Sequence, residues 1–220
     1  MDRMMKLLSI LLLAVGLAAT GTAATGQQPD RQPFKQGADY HLVVPVQPTD
    51  ASRNQVEVIE FFWYGCPHCY AFEPYLENWL AHKPESVLFK RVPAVANPAW
   101  KPQARAFYTA QVLGILNKVH KPIFDEIHAR HHFLRTEDDF QQFFARFGVS
   151  KDQFEAAWNS FAVNTRVKQA AVLGARYRIM GVPTVVVGGM YSTGPTMADS
   201  FPQLIEIIDF LTDKRLDSKK

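Results

Sequence analysis

Residues 55–64, QVEVIEFFWY, form a run of β-branched and aromatic side chains with almost no polar break. Such residues suit a pleated strand. A strand this continuously apolar fits the centre of a sheet covered on both faces. Gly65 then permits a sharp exit, and the only two cysteines, Cys66 and Cys69, follow at once in CPHC. Pro67 fits the first turn of a helix, where a missing N–H costs nothing. The helix is predicted to run through HCYAFEPYLENWLAHK, with a kink or break at Pro74.

The surrounding pattern is α/β. GADYHLVVPVQPTD reads as an edge strand and a turn, and SVLFKRVPAV as a second strand after the helix. From about Pro98 the spacing becomes helical, through AWKPQARAFYTAQVLGIL and KPIFDEIHARHHF. Phe140, Phe143, Phe144 and Phe147 lie at i, i+3, i+4 and i+7, a stripe for core packing. Ser150 and Gln153 form a capping box before FEAAWNSF, and a long helix, NTRVKQAAVLGARYRI, follows. Strands then return as GVPTVVV and MYSTG, read as a hairpin with a two-residue GG turn, and Ser200 caps a last helix. The expected division is 36–97 and 166–220 for the two parts of one α/β domain, with an all-helical insertion at 98–165.

Residues 1–24 read as a signal peptide: Arg3 and Lys6, an apolar core from Leu7 to about Ala19, then small residues. An uncleaved anchor is the competing reading, but the apolar core falls short of the roughly 20 residues a span needs. Lys plus Arg exceed Asp plus Glu by 24 − 21 = 3, and the basic residues are scattered. No concentrated basic face of the kind that binds nucleic acid is visible, so none is expected as a partner. Export implies an oxidising compartment in which Cys66 and Cys69 could be bonded. Closing so short a loop would stabilise the fold by only about 2 kcal/mol, against about 4.7 for a loop of 100 residues. The spacing therefore argues for chemistry over reinforcement.

Cys66 is predicted at a helix N-terminus, with Cys69 one turn later on the same side. Backbone N–H groups without helical partners and the helix dipole favour a thiolate there, and a protonated His68 would add to the effect. A stabilised thiolate is a good leaving group. Zinc is the competing use of CxxC, with His128 and His132, four apart on a predicted helix, as further ligands; the blander reading of those histidines is a solvated helix face. Glu60 is a charge inside an apolar strand. Buried, it would have a raised pKa and could exchange a proton with Cys69; the alternative is a strand-end carboxylate facing water. Glu73 is either a modulator one turn on or a surface charge.

VIEFFWYGCPHCYAFEP, followed much later by GVPT and with FEAAWNSF between, resembles the DsbA family of thiol:disulfide oxidoreductases. The resemblance implies a thioredoxin-like fold with an inserted all-helical domain. It implies a cis bond at Pro183, with the Val182 backbone offered to an extended substrate peptide, and a lysine partner for Glu60 that aligns with Lys90. The expected activity is disulfide introduction into reduced or unfolded exported proteins through Cys66, Pro67, His68 and Cys69. Apolar groups such as Trp63 and Tyr64 would hold the substrate. A quinone-linked membrane protein, DsbB-like, would reoxidise the pair. A monomer is expected, with no metal or organic cofactor required. An isomerase or reductase of the same superfamily, or a chaperone with an inert disulfide, remains the alternative.

Overall fold

The computed structural model describes residues 34–219, so the signal peptide expected at 1–24 lies outside them. Five strands form one sheet: β1 (His41–Leu42), β2 (Val56–Phe62), β3 (Val87–Pro93), β4 (Thr184–Val187) and β5 (Tyr191–Thr193), in the order β1-β5-β4-β2-β3. All seven residues of β2 are buried. It pairs in parallel with β3, Glu60 opposite Arg91, and antiparallel with β4, Glu60 opposite Val185.

The pleat of β2 serves two cores. Val56 and Val58 face α1 (Pro67–His82) and the C-terminal α7 (Phe201–Asp217), packing with Phe72, Leu76, Leu204 and Ile208. Ile59 and Phe61 belong to the other core, shared with the helices α2 (Lys101–Val112), α3 (Leu116–His128), α4 (Glu137–Ala145), α5 (Lys151–Trp158) and α6 (Phe161–Arg176). Phe140, Phe143 and Phe144 are buried there, with Phe147 packed at the margin. Ser150 and Gln153 cap each other's backbone amides as expected, and Thr136 with Asp139 does the same for α4.

Several local expectations are corrected. α1 runs unbroken through Pro74. Gly188 and Gly189 both take positive φ and Met190 N–H closes on Val187 O, but pairing resumes at Val187–Tyr191, so three residues separate the strands. The two-residue turn therefore carries an extra residue before the ladder. The expected domain boundary at 165/166 falls inside α6, which packs on α2 and continues to Arg176.

Candidate active site

β2 delivers the chain to the site through Trp63, Tyr64 and Gly65. Cys66 N–H bonds Trp63 O at 2.9 Å, which closes a tight turn. The Trp63 ring folds over Gly65 so closely that a Cβ there would lie 2.3 Å from it, so any larger residue would push the ring aside. Trp63 also stacks on Trp100 at 4.7 Å. Gln103 of α2 accepts the Gly65 N–H at 3.0 Å and donates to Leu134 O at 3.1 Å. Tyr64, expected to hold substrate, is 1% exposed and belongs to the core. Its hydroxyl meets His120 Nδ1 at 2.7 Å, and its carbonyl accepts from His128 Nε2 at 2.8 Å. A carbonyl only accepts, so Nε2 of His128 carries the proton. The His128 ring stacks on Tyr70 at 4.9 Å. Its expected solvated face is thus a packing surface, and His132 lies beyond the end of α3, against Glu126 at 3.1 Å. Among the described residues no group of three or more His, Cys, Asp or Glu could hold a metal ion.

Cys66 is the N-cap of α1, Pro67 its first residue, and both Pro67 and His68 are exposed. The Cys66 and Cys69 thiols are free and buried. The Val182–Pro183 bond is cis, the isomer the resemblance implied, and Cys66 Sγ donates to Val182 O at 3.3 Å. The acid strengths of the two sulfurs diverge. Cys66 is lowered to about 6, first by the hydrogen bond from the Cys69 thiol. Burial opposes this, and the backbone N–H groups of Cys69 and His68 and the His68 imidazole assist, although none makes a full capping bond to the sulfur. Cys69 is pushed well above the usual thiol range, first by burial, then by the Cys66 sulfur and by Glu60.

Beneath Cys69 lies a crowded charge layer. Glu60 is fully buried, and its partner is Arg91, whose Nε lies 3.2 Å from Oε2. Lys90 does not pair with Glu60, contrary to the alignment. Strand neighbours point to opposite faces. The β2–β3 register sets Arg91 beside Glu60 and sends Lys90 to the other face, onto Glu57 at 2.5 Å and Asp50. Arg91 also meets Glu73 at 3.3 Å and the half-exposed Glu77 at 2.7 Å, so three carboxylates share one guanidinium. Glu60 is therefore pushed up to about 8, by burial first and then by Glu73, against the pull of Arg91. Its Oε1 has no hydrogen-bond partner. Glu73 is buried, with Oε1 lying 3.5 Å from His120 Nε2, beyond a full hydrogen bond. Burial lowers the pKa of His120. Arg91 and His120 escaped the sequence reading. A register count across β2 and β3 could have found Arg91; no local signal marks His120.

A cavity of about 470 Å³ opens beside Cys66, lined by His68, Met180, Val182, Pro183, Thr196 and Met197 among others. Met180 is 94% exposed, the most exposed large apolar side chain among the described residues, and sits where Tyr64 had been expected to act.

The sequence matches the family described as DSBA-like thioredoxin domain over residues 91–206. The chain is 44% identical to the thiol:disulfide interchange protein DsbA of Burkholderia cepacia, over 98% of this chain and 100% of that one. The crystal structure of Pseudomonas aeruginosa DsbA superposes with a TM-score of 0.79 at 35% identity, covering 85% of this chain and 97% of that chain. A complex of a cysteine-to-serine Proteus mirabilis DsbA with the non-covalently bound peptide PWATCDS superposes at 0.69 and 26% identity, over 84% and 98%.

Proposed function

Because this chain belongs to the DsbA family of thiol:disulfide interchange proteins, a family of disulfide-introducing oxidoreductases, we propose that its exchange runs through Cys66 and Cys69 in unequal roles. The opposite acid strengths of the two sulfurs carry this reading. With the pair oxidised, a substrate thiolate attacks Cys66 Sγ, the sulfur at the helix tip. The Cys66–Cys69 bond breaks, a mixed disulfide forms on Cys66, and Cys69 leaves with the electron pair. Burial makes Cys69 take up a proton, and neutral Glu60 beneath it supplies one, directly or through water. A second substrate thiolate then attacks the substrate sulfur of the mixed disulfide. Cys66 leaves as a thiolate, a good leaving group because its pKa is low. The substrate is oxidised by two electrons and the cysteine pair reduced by two.

The substrate strand lies along Val182, whose backbone offers it a β-type partner while Pro183 holds the chain against Cys66. That a Proteus mirabilis relative holds a non-covalently bound peptide supports peptide binding by this chain as well. Pro67 and His68, exposed at the first turn, tune Cys66. Among the described residues no helix is long and apolar enough to cross a membrane. The signal-like residues 1–24 support action on exported proteins in the periplasm, and the proposed working unit is a monomer. The reduced pair requires an electron acceptor there, a quinone-linked DsbB-like membrane protein.

The deciding measurement is a redox titration with oxidation assays beside it. A couple more oxidising than thioredoxin's, with activity reduced to the uncatalysed background in Cys66→Ser, is the expected result. Cys69→Ser, offered a substrate that already carries a disulfide, should instead hold a mixed disulfide, because Cys66 attacks that bond and no second cysteine resolves it. A couple as reducing as thioredoxin's, or full activity in Cys66→Ser, would overturn the reading.

A further inference from the structure

The largest cavity among those described, about 1080 Å³, includes neither cysteine nor Val182 in its lining. It lies between the outer strand β3, Asp50, and the helices α2 and α6. Phe107, Tyr108, Leu116, Val172 and Leu173 give it an apolar floor. Its rim is cationic. The 16 residues of α6 contain Arg166, Lys168 and Arg176 and no acid, and all three line the cavity. Their charges are unmatched. Lys168 and Arg176 make no hydrogen bond or ion pair among the described residues, and Arg166 reaches only the neutral Gln111 Oε1 at 3.2 Å. The other two cations of the lining differ: Lys90 is held by Asp50 and Glu57, and Arg91 by Glu60, Glu73 and Glu77. Asp50 is the one acid of the lining and is already engaged by Lys90.

We propose that this groove is a docking site for an extended acidic peptide segment bearing an apolar side chain. Three unpaired cations on one helix attract carboxylates and steer their approach. The apolar floor, with Val172 half exposed, requires a side chain that reaches down into it. β3 is an edge strand with no partner on its outer side among the described residues, which suits an extended backbone beside it. The concavity favours a peptide over an anionic bilayer, whose flat surface would meet the rim and leave the floor empty. Docking here involves no electron transfer, and its test leaves Arg91 and the cysteines unchanged.

The test uses a fluorescently labelled, cysteine-free, Glu-rich peptide with one central Phe, followed by anisotropy at low ionic strength. Saturable binding is expected, weakened about tenfold or more by Lys168→Glu with Arg176→Glu. A peptide with Gln for Glu, or Ser for the Phe, should also bind more weakly. The milder pair Lys168→Gln with Arg176→Gln should move affinity in the same direction by less. Oxidase turnover in both pairs should match the parent, which establishes that the variants are folded. Equal affinity in the parent and the charge-reversed protein would overturn the proposal. So would equal binding of the peptide lacking Phe, which would mean ionic adsorption only. Binding to phosphatidylglycerol vesicles without binding to the peptide would assign the surface to a membrane instead.

Discussion

Cys66 and Cys69 share a residue type and a helical turn, and they differ in what surrounds them. At the mouth, Cys66 receives hydrogen from the Cys69 thiol and lies near the first amides of α1 and the His68 ring. On the floor, Cys69 is fully buried over Glu60, within a layer where one guanidinium serves three carboxylates. Negative charge is met at the mouth and resisted beneath it. In the proposed exchange this difference gives direction: the less deeply buried end of the turn releases a thiolate and the fully buried end takes up a proton. A pair of cysteines with equal surroundings would have no such bias.

The floor is most directly tested by removing the guanidinium that its carboxylates share. Arg91→Met takes the ion-pair partner from buried Glu73 and the hydrogen-bond donor from Glu60, at a cost of about 3–5 kcal/mol at neutral pH. Lys90→Met should cost less, about 1–3 kcal/mol, because Glu57 keeps the Asp50 N–H at 3.2 Å and Asp50 is exposed. Denaturant unfolding of both oxidised proteins checks this. Only Arg91→Met should alter the titration of the cysteines; equal effects would erase the distinction between the two sheet faces.

The mouth has its own signature in pH. Ultraviolet thiolate absorbance of the reduced protein should rise with a midpoint near 6, against an ordinary thiol value of 9. Because folding lowers this pKa, the stabilisation is complete above about 9 and is lost as pH falls through about 6. The reduced protein should lose stability relative to the oxidised one across that window. A midpoint at the ordinary value would dissolve the contrast between the sulfurs.

Glu60 should behave with the opposite sign. Its pKa is raised from 4.5 to about 8, so its contribution is present below about 4.5 and lost as pH rises through about 8. In the oxidised protein, which has no free thiolate, the slope due to Glu60 is the difference between the thermal-unfolding profiles of the parent and Glu60→Gln, since buried His120 contributes to both. Glu60→Gln should flatten it and slow the release of Cys69; an unchanged profile would place the proton elsewhere. The smallest expected change is His128→Ala, about 1 kcal/mol, from the lost bond to Tyr64 O and the lost stack on Tyr70. Fluorescence-monitored unfolding should record it.

Local chemistry made much of this molecule legible in advance. The unbroken apolar run of β2, the Ser150 capping box and the phenylalanine stripe each depend on residues within one or two turns of each other. Pro67 beside the first cysteine likewise located the start of α1. Errors arose where an outcome depended on a register or on a distant element. The resemblance pointed to Lys90 where the register brings its neighbour Arg91, and Tyr64, expected to hold substrate, is covered by α3.

The sequence by itself determined the order of strands and helices and the presentation of two cysteines at a helix tip, because periodicity, capping and turn chemistry act over a few residues. Only the tertiary structure decided which cation lies under the cysteines, that Glu60 is sealed from water, and that three cations of α6 rim a groove. Desolvation and charge pairing depend on what other elements pack against a group, and a one-residue change of register reverses the face on which a side chain meets them.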